Sequence, residues 1–388
     1  HESETKKMRI LHTSDWHLGR SFHGLHLLDD QAKVLADILY VAKNSKVDAL
    51  VLAGDIYDRA VPPTEAVGLL NSTIEELILK LQIPVILIAG NHDNPDRLNF
   101  GQALFAQKQL YIYSTVTTKA VPLKLEDQYG AVYFAPLTYC EPLTATELSG
   151  EKKPTHDAAL AWQVEQMLAQ IPENSRKIAL AHAFVAGATP TPDSERPLAV
   201  GGTTTVDIKN FAPFNYTALG HLHAAQNCSP SVRYSGSLLK YSFAEATQKK
   251  AVQIVDLDGA GNISVETIAL AQPHDLLCLK GSFQELLAKD PADFATAYMQ
   301  LTLTDTAPIL DAKHKLETVY PQILELSYER LALAQKELSV AEAQAKKLTA
   351  HELFTNFFRA VNERELAEKE DTLLRKALNQ LEDEGRHA

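Results

Sequence analysis

Apolar residues gather in short runs of strand length, and many of these runs stop abruptly at polar residues. MRILHTS, ALVLA, PVILIA, KIALA and YTAL are such runs. Between the first two, Leu28, Leu35, Ile38, Leu39 and Val41 recur at helical spacing, which predicts a helix between Leu25 and Asn44. A second helix is expected over 64–81, opened by Thr64 with Glu65 in its first turn. Strands alternating with helices predict α/β layering. From Tyr129 onward the runs AVYFAPL, KIALAHA, YTALGHLH, VRYSGSL, AVQIVDLD and ISVETIAL make the chain richer in strands. Two sheets packed face to face and flanked by helices accommodate both halves.

After Gln272-Pro273 the pattern changes to strand LLCLKGS, helix FQELLA, strand AYMQLTLT, helix ILDAKHKLETV and strand ILELSYERL, a separate small α+β domain. Residues 332–348, rich in Ala, Gln, Glu and Lys, read as a linker. Two amphipathic helices follow. Leu353, Phe354, Phe357, Phe358 and Val361 share a face of the first, with Thr349 and Glu352 as a capping box. Leu373, Leu374, Ala377, Leu378 and Leu381 repeat the pattern on the second. Such stripes suit a partner surface, or else packing on the small domain or on each other.

A length of 388 residues allows two or three domains. Three cysteines without a C-x-x-C pair argue against a disulfide scaffold and for a reducing, cytoplasmic setting. No apolar run is long enough to span a membrane. HESETKK lacks the apolar core of a secretory signal, so the native start is expected at Met8. The net charge of −12 sits awkwardly with nucleic-acid binding, which usually leaves a basic footprint.

The polar residues that end the apolar runs carry the chemistry. Asp15-Trp16-His17, Gly54-Asp55, Gly90-Asn91-His92-Asp93, Ala181-His182 and Gly220-His221-Leu222-His223 each sit at a strand end. Asp15 and His17 are two apart, as are His221 and His223, so an extended backbone would point each pair the same way. Taken singly these pieces are weak: Asp55 reads as a helix cap, His182 as a core histidine, Asn91 and Asp93 as turn residues. Together they supply oxygen and imidazole donors for two divalent ions. A mixed oxygen and nitrogen set with no thiolate points to Mn, Fe or Zn rather than Ca or an iron–sulfur cluster, and octahedral vacancies to be filled by water favour Mn²⁺. The active site is expected beyond the carboxyl ends of the strands.

The order D-x-H, G-D, G-N-H-D, H, G-H-x-H resembles the calcineurin-like metallophosphoesterases. The resemblance implies an α/β sandwich of two mixed sheets flanked by helices. It implies one ion on Asp15, His17, Asp55 and His223, and another on Asp55, Asn91, His182 and His221, with Asp55 bridging. His92 would then be a general acid rather than a ligand, oriented by Asp93. Asp58 is a further candidate to orient His92. The lone His of the family often follows Gly, whereas here Ala181 precedes it. MRILHTSDWHLGR, GDIYDRAVPP, ERPLAVGGTTTVDIKNF and VRYSGSLLKYSF look like the bacterial SbcD nuclease subunits.

That narrower resemblance implies a nuclease domain (8–272), a capping domain (273–331), the linker (332–348) and a C-terminal helical pair (349–385) that binds the coiled-coil base of an SbcC-type ATPase. Leu353, Phe354, Phe357, Phe358, Val361, Leu374, Leu378 and Leu381 would carry that contact. It implies 3′ to 5′ duplex exonuclease and single-strand or hairpin endonuclease activity in DNA repair, recombination and replication. A nuclease-domain homodimer through 65–79 and 96–105 is also implied. Arg20, Phe22, His23 and Arg59 flank the metal motifs and are candidates for DNA contact. The polar loop from Ala186 to Asn210 is expected to face substrate. The competing reading is a small-molecule phosphodiesterase or phosphatase, which would not need the region after 273. A third, a scaffold that has lost catalysis, would show a missing ligand.

Overall fold

The computed structural model describes residues 7–192, 194, 204–330, 350–362 and 364–385. They form two compact units, one ending at Asp275 and the other beginning at Leu276. The expected linker over 332–348, Thr349 of the capping box and most of 193–203 lie outside the described residues.

The first unit is built on two six-stranded sheets. In one, Met8–Thr13, Ala49–Ala53, Val85–Ile88 and Leu110–Tyr113 run parallel, and Ala251–Leu257 and Ile263–Ala269 add antiparallel strands beyond Met8–Thr13. In the other, Gly130–Leu137, Arg176–His182, Tyr216–Gly220 and Val232–Tyr234 run parallel, edged by the antiparallel strands Leu123–Asp127 and Gln226–Asn227. Alternate residues of both meet in one core: Ile10, Val51, Ile86 and Ile88 from the first, and Phe134, Ile178, Leu180 and Ala218 from the second. On its other face the second sheet packs Leu137, Ala179, Ala181 and Leu219 against Leu160, Val164 and Met167 of the helix His156–Leu168. Strands covered on both faces read as continuous apolar runs, and ALVLA is buried at every position.

Helix Leu28–Asn44 starts three residues later than expected, because Leu25–His26 pairs with Ser21–Phe22 in a small hairpin. The second helix is α-helical over Thr64–Glu75 and closes with a π turn over Glu76–Lys80. The segment 96–105 is two short helices, Pro95–Leu98 and Gln102–Ala106.

The second unit holds a parallel three-stranded sheet, Leu276–Gly281, Tyr298–Leu303 and Ile323–Tyr328. Helices Phe283–Leu287 and Ala312–Leu316 share its core with Met299, Leu301 and Leu303. Helices Ala350–Asn362 and Glu368–Gly385 complete it. They are tied to each other by His351 and Asp371 at 2.5 Å, and Arg364 lies over the Phe358 ring at 4.8 Å. None of Leu353, Phe354, Phe357, Phe358, Val361, Leu374 and Leu378 is fully buried. The side chain of Leu381 is outside the described set. No helix among the described residues is long and apolar enough to cross a membrane.

Candidate metal centre

All five motifs lie at the carboxyl ends of parallel strands, three in the first sheet and two in the second. Asp15 and His17 follow Met8–Thr13, Asp55 follows Ala49–Ala53, and Asn91 and His92 follow Val85–Ile88. His182 ends Arg176–His182, while His221 and His223 follow Tyr216–Gly220. The loops after the first two strands continue side by side: Asp15 N–H donates to the Gly54 carbonyl at 3.0 Å and His17 N–H to the Asp55 carbonyl at 2.9 Å.

The backbone at these residues is not extended, contrary to the expectation from spacing. Asp15, His17, Asp55 and His221 have φ of 52°, 44°, 49° and 104°. Side chains two apart reach the same place through left-handed turns, a conformation that non-glycine residues adopt only where surroundings impose it. Two glycines permit the close approach. A Cβ on Gly90 would lie 2.1 Å from Asp55 Oδ1, and one on Gly220 would lie 1.9 Å from the Ala53 carbonyl oxygen.

The donor atoms converge. The Nε2 atoms of His17 and His223 face each other at 3.0 Å. Asp55 Oδ2 lies 3.5 Å from His17 Nε2 and 3.5 Å from His182 Nε2. Asn91 Oδ1 lies 3.0 Å from His182 Nε2 and 3.2 Å from His221 Nδ1. Asp15 accepts the His221 N–H at 2.9 Å, joining the first motif to the last. His182 Nδ1 donates to the Ala53 carbonyl at 2.9 Å, leaving Nε2 as the donor to a metal.

The electrostatics call for cations. Asp15 and Asp55 are 0% and 2% exposed. Burial lifts Asp15 to about 6, against the pull of His182. Asp55 is held well below the usual carboxylate range: burial opposes this, but His182 and then His17 and His92 outweigh it. Burial pushes His17 far down and His221 to about 3, which leaves their lone pairs open. His182 rises to about 9 because Asp55 overcomes its burial, so a proton sits where a cation would serve both groups. Buried carboxylates and imidazole nitrogens aimed at shared points fit a divalent pair.

His92 stands beside this cluster, its Nε2 3.9 Å from Asp55 Oδ2. Its orientation corrects the sequence reading. The Asp93 carboxylate does not hold the ring; it accepts the N–H groups of Ile56 at 3.1 Å, Tyr57 at 2.9 Å and Gly90 at 2.9 Å, and so fixes the two loops. The ring is held through Nδ1 by the backbone carbonyl of Asp58 at 2.8 Å. Arg20, a candidate for DNA contact, has protein partners at this site. It pairs with Asp58 at 3.2 Å and lies over the Tyr241 ring at 5.0 Å. His23 and Arg59 are exposed, and His23 packs with Phe22 and Phe243.

Sequence reasoning missed the supports. Gln31 donates to the carbonyls of Trp16 and His17, and Tyr241 donates to that of Trp16. Glu245 lies behind His223 and pairs with Lys250. Only the run around VRYSGSLLKYSF hinted at them, and nothing in its composition marks a metal site.

The calcineurin-like phosphoesterase family model matches residues 8–225. A model described as the type 5 capsule protein repressor C-terminal domain matches residues 272–362. The chain is 32% identical over 375 residues to the SbcD subunit of the SbcCD nuclease of Staphylococcus epidermidis, covering 96% of this chain and 98% of that one. Solved structures are more distant. A dimetal phosphatase from Danio rerio covers 69% of this chain and 98% of its own, with 12% identity and a TM-score of 0.42. TT1561 of Thermus thermophilus covers 68% and 99%, with 13% identity and a TM-score of 0.39. A metal-dependent phosphodiesterase site thus sits in a chain matched almost end to end by one nuclease subunit, and the chain belongs to the SbcD family of calcineurin-like phosphoesterases.

Proposed function

We propose that this chain is a two-metal DNA nuclease that works with an SbcC-type ATPase, and that the two ions are Mn²⁺. The carrying observation is the convergence of Asp15, His17, Asp55, Asn91, His182, His221 and His223. Asp15, His17, Asp55 and His223 are assigned to one ion, and Asp55, Asn91, His182 and His221 to the other. When bound, two divalent ions supply Lewis-acid charge to a phosphodiester and acidify a water.

The chain's own residues do the rest. Asp93 holds the two loops in register, and the Ala53 carbonyl keeps His182 in one tautomer. His92, bonded at Nδ1 to the Asp58 carbonyl, turns Nε2 toward the centre. Protonated at both nitrogens, it donates from Nε2 to the departing sugar oxygen. The exposed side chains of His23 and Arg59 are the candidates for backbone contact with DNA. Arg20, paired with Asp58, is a third candidate.

The C-terminal helices are the proposed seat of the ATPase partner, through Phe354, Phe357, Phe358, Val361, Leu353, Leu374, Leu378 and Leu381. A homodimer is proposed through the helices near 65–79 and 96–105. Val67 (44%), Leu79 (64%), Phe100 (82%) and Leu104 (70%) are exposed there, and exposed apolar surface of this kind suits a protein interface. The match over residues 272–362 weighs against a small-molecule phosphatase, which needs no such region. A cytoplasmic setting fits three cysteines that form no disulfide.

The test uses end-labelled duplex, hairpin and single-stranded DNA with Mn²⁺, Mg²⁺ or EDTA, with and without the ATPase. His92→Ala is expected to lose about 10²–10⁴-fold in cleavage while keeping both ions. His182→Gln should lose metal. Loss of metal from His92→Ala would make His92 a ligand. Intact DNA beside hydrolysis of bis-(p-nitrophenyl) phosphate, even with the ATPase present, would favour the small-molecule reading.

A further inference from the structure

Behind His223, on the side away from the facing nitrogens, lies an ion pair that the hydrolytic chemistry does not use. The side chains of Glu245 and Lys250 are both 0% exposed. Glu245 Oε1 lies 3.1 Å from His223 Nδ1, and Oε2 accepts from Lys250 Nζ at 2.5 Å. Lys250 also donates to the His223 carbonyl at 2.8 Å, to Ser237 Oγ at 2.9 Å and to Gln248 Oε1 at 2.8 Å. Ser194 Oγ stands 2.8 Å from His223 Nδ1 and donates to Glu245.

A buried ammonium and carboxylate are costly to desolvate, and an apolar pair of similar volume is often at least as stable. Tying a loop therefore needs neither charge. What a carboxylate does that an apolar group does not is fix the imidazole tautomer. It accepts and never donates, so Nδ1 carries the proton and the Nε2 lone pair stays open. That lone pair is the one facing His17 Nε2. Lys250 holds the carboxylate and the carbonyl of the same histidine, gripping its ring and its backbone together.

We propose that Glu245, held by Lys250, is a positioning residue that sets His223 as an Nε2 donor and so sets the affinity of one ion position. The proposal rests on the two-ion reading above.

The test titrates the full-length chain with Mn²⁺ alone. The six-line electron paramagnetic resonance signal gives free ion, and the exchange-coupled signal reports the filled pair. Two double variants, each in a Ser194→Ala background so that the nearby hydroxyl cannot take the Nδ1–H, remove the buried charges alike: Glu245→Gln/Lys250→Met and Glu245→Met/Lys250→Met. Gln can turn its carbonyl to the Nδ1–H; Met offers only a weakly accepting sulfur. Both are expected to melt at similar temperatures. The Met variant should bind one Mn²⁺ about 10–100-fold more weakly and lose the coupled signal, while the Gln variant stays close to the wild type. Equal Mn²⁺ affinity in the two doubles, whether strong or weak, would overturn the proposal and leave the pair as scaffolding. Should a double fail to melt cooperatively, Glu245→Gln with Ser194→Ala carries the test. There Lys250 draws the amide oxygen and the NH₂ faces Nδ1, so a weakened ion supports the idea and an unchanged one refutes it. A wild-type chain that binds fewer than two Mn²⁺ would bring down the two-ion reading itself, and this proposal with it.

Discussion

Gly220 shows how tightly individual residues are fitted around the centre. An added Cβ there would meet the Ala53 carbonyl oxygen at 1.9 Å and His182 Nδ1 at 3.0 Å, the two partners in the bond that fixes His182. Gly220→Ala is therefore expected to lose about 3 kcal/mol of stability and to weaken metal binding together. Denaturant unfolding and Mn²⁺ titration check both; an unchanged midpoint would mean that the strands separate easily there. The coming together of the seven proposed ligands and His92 was legible because such chemistry is confined to a few residue types at strand ends. Their backbone was not. Spacing suggests an extended chain, and only the packed loops impose the left-handed turns at Asp15 and His17. The place of Asp93 was hidden for a related reason: a carboxylate that takes three backbone N–H groups looks the same in sequence as one that orients a ring.

At the scale of elements, strands were easier to read than helix ends. Buried parallel strands announce themselves as apolar runs, whereas Leu25–His26 looks helical until its pairing partner is known. One clip between strands lends itself to measurement. Arg176 binds both oxygens of Asp127, one of them at 2.7 Å, and also the Gly130 carbonyl at 2.9 Å, across the edge of the second sheet. Although burial opposes it, the hydrogen bonds from Arg176 hold Asp127 below its ordinary range. A carboxylate depressed in the folded state adds stability above its unfolded pKa of about 4, and that stability is lost as pH falls through the folded value. Arg176→Ala is expected to cost roughly 3 kcal/mol at pH 7 and to flatten the acid limb of the stability curve below about pH 4. Parallel limbs in the two proteins would remove the clip from the account.

For the molecule as a whole, charge and exposed apolar surface pull the argument toward partners. A chain of net charge −12 needs its ions, and an ally, to hold a polyanion. Phe357→Glu is expected to abolish capture by the ATPase while leaving hydrolysis of bis-(p-nitrophenyl) phosphate intact. Phe100→Asp should turn a dimer into a monomer by light scattering. Retained capture in the first, or a monomeric wild type, would count against these surfaces. The order of strands and helices changes after Gln272-Pro273, and the compact units divide between Asp275 and Leu276. What each unit docks against was not legible in the sequence, since an amphipathic stripe does not name its partner.

The candidate ligands come from two different sheets: Asp15, His17, Asp55 and Asn91 from one, and His182, His221 and His223 from the other. Ions held between them would act as reversible rivets through the two layers, and the fold itself would become a gauge of metal supply. At a free Mn²⁺ concentration 100 times the Kd, the folded state gains about 2.7 kcal/mol for each site. Scanning calorimetry should show the first unit melting higher as Mn²⁺ is added and lower with EDTA, with the strand tips of both sheets losing amide protection in step. A melting temperature indifferent to metal would mean that the two layers are riveted by their apolar core alone. A cell starved of the ion would then carry an idle nuclease; a responsive one would carry an opened chain, exposed to its proteases.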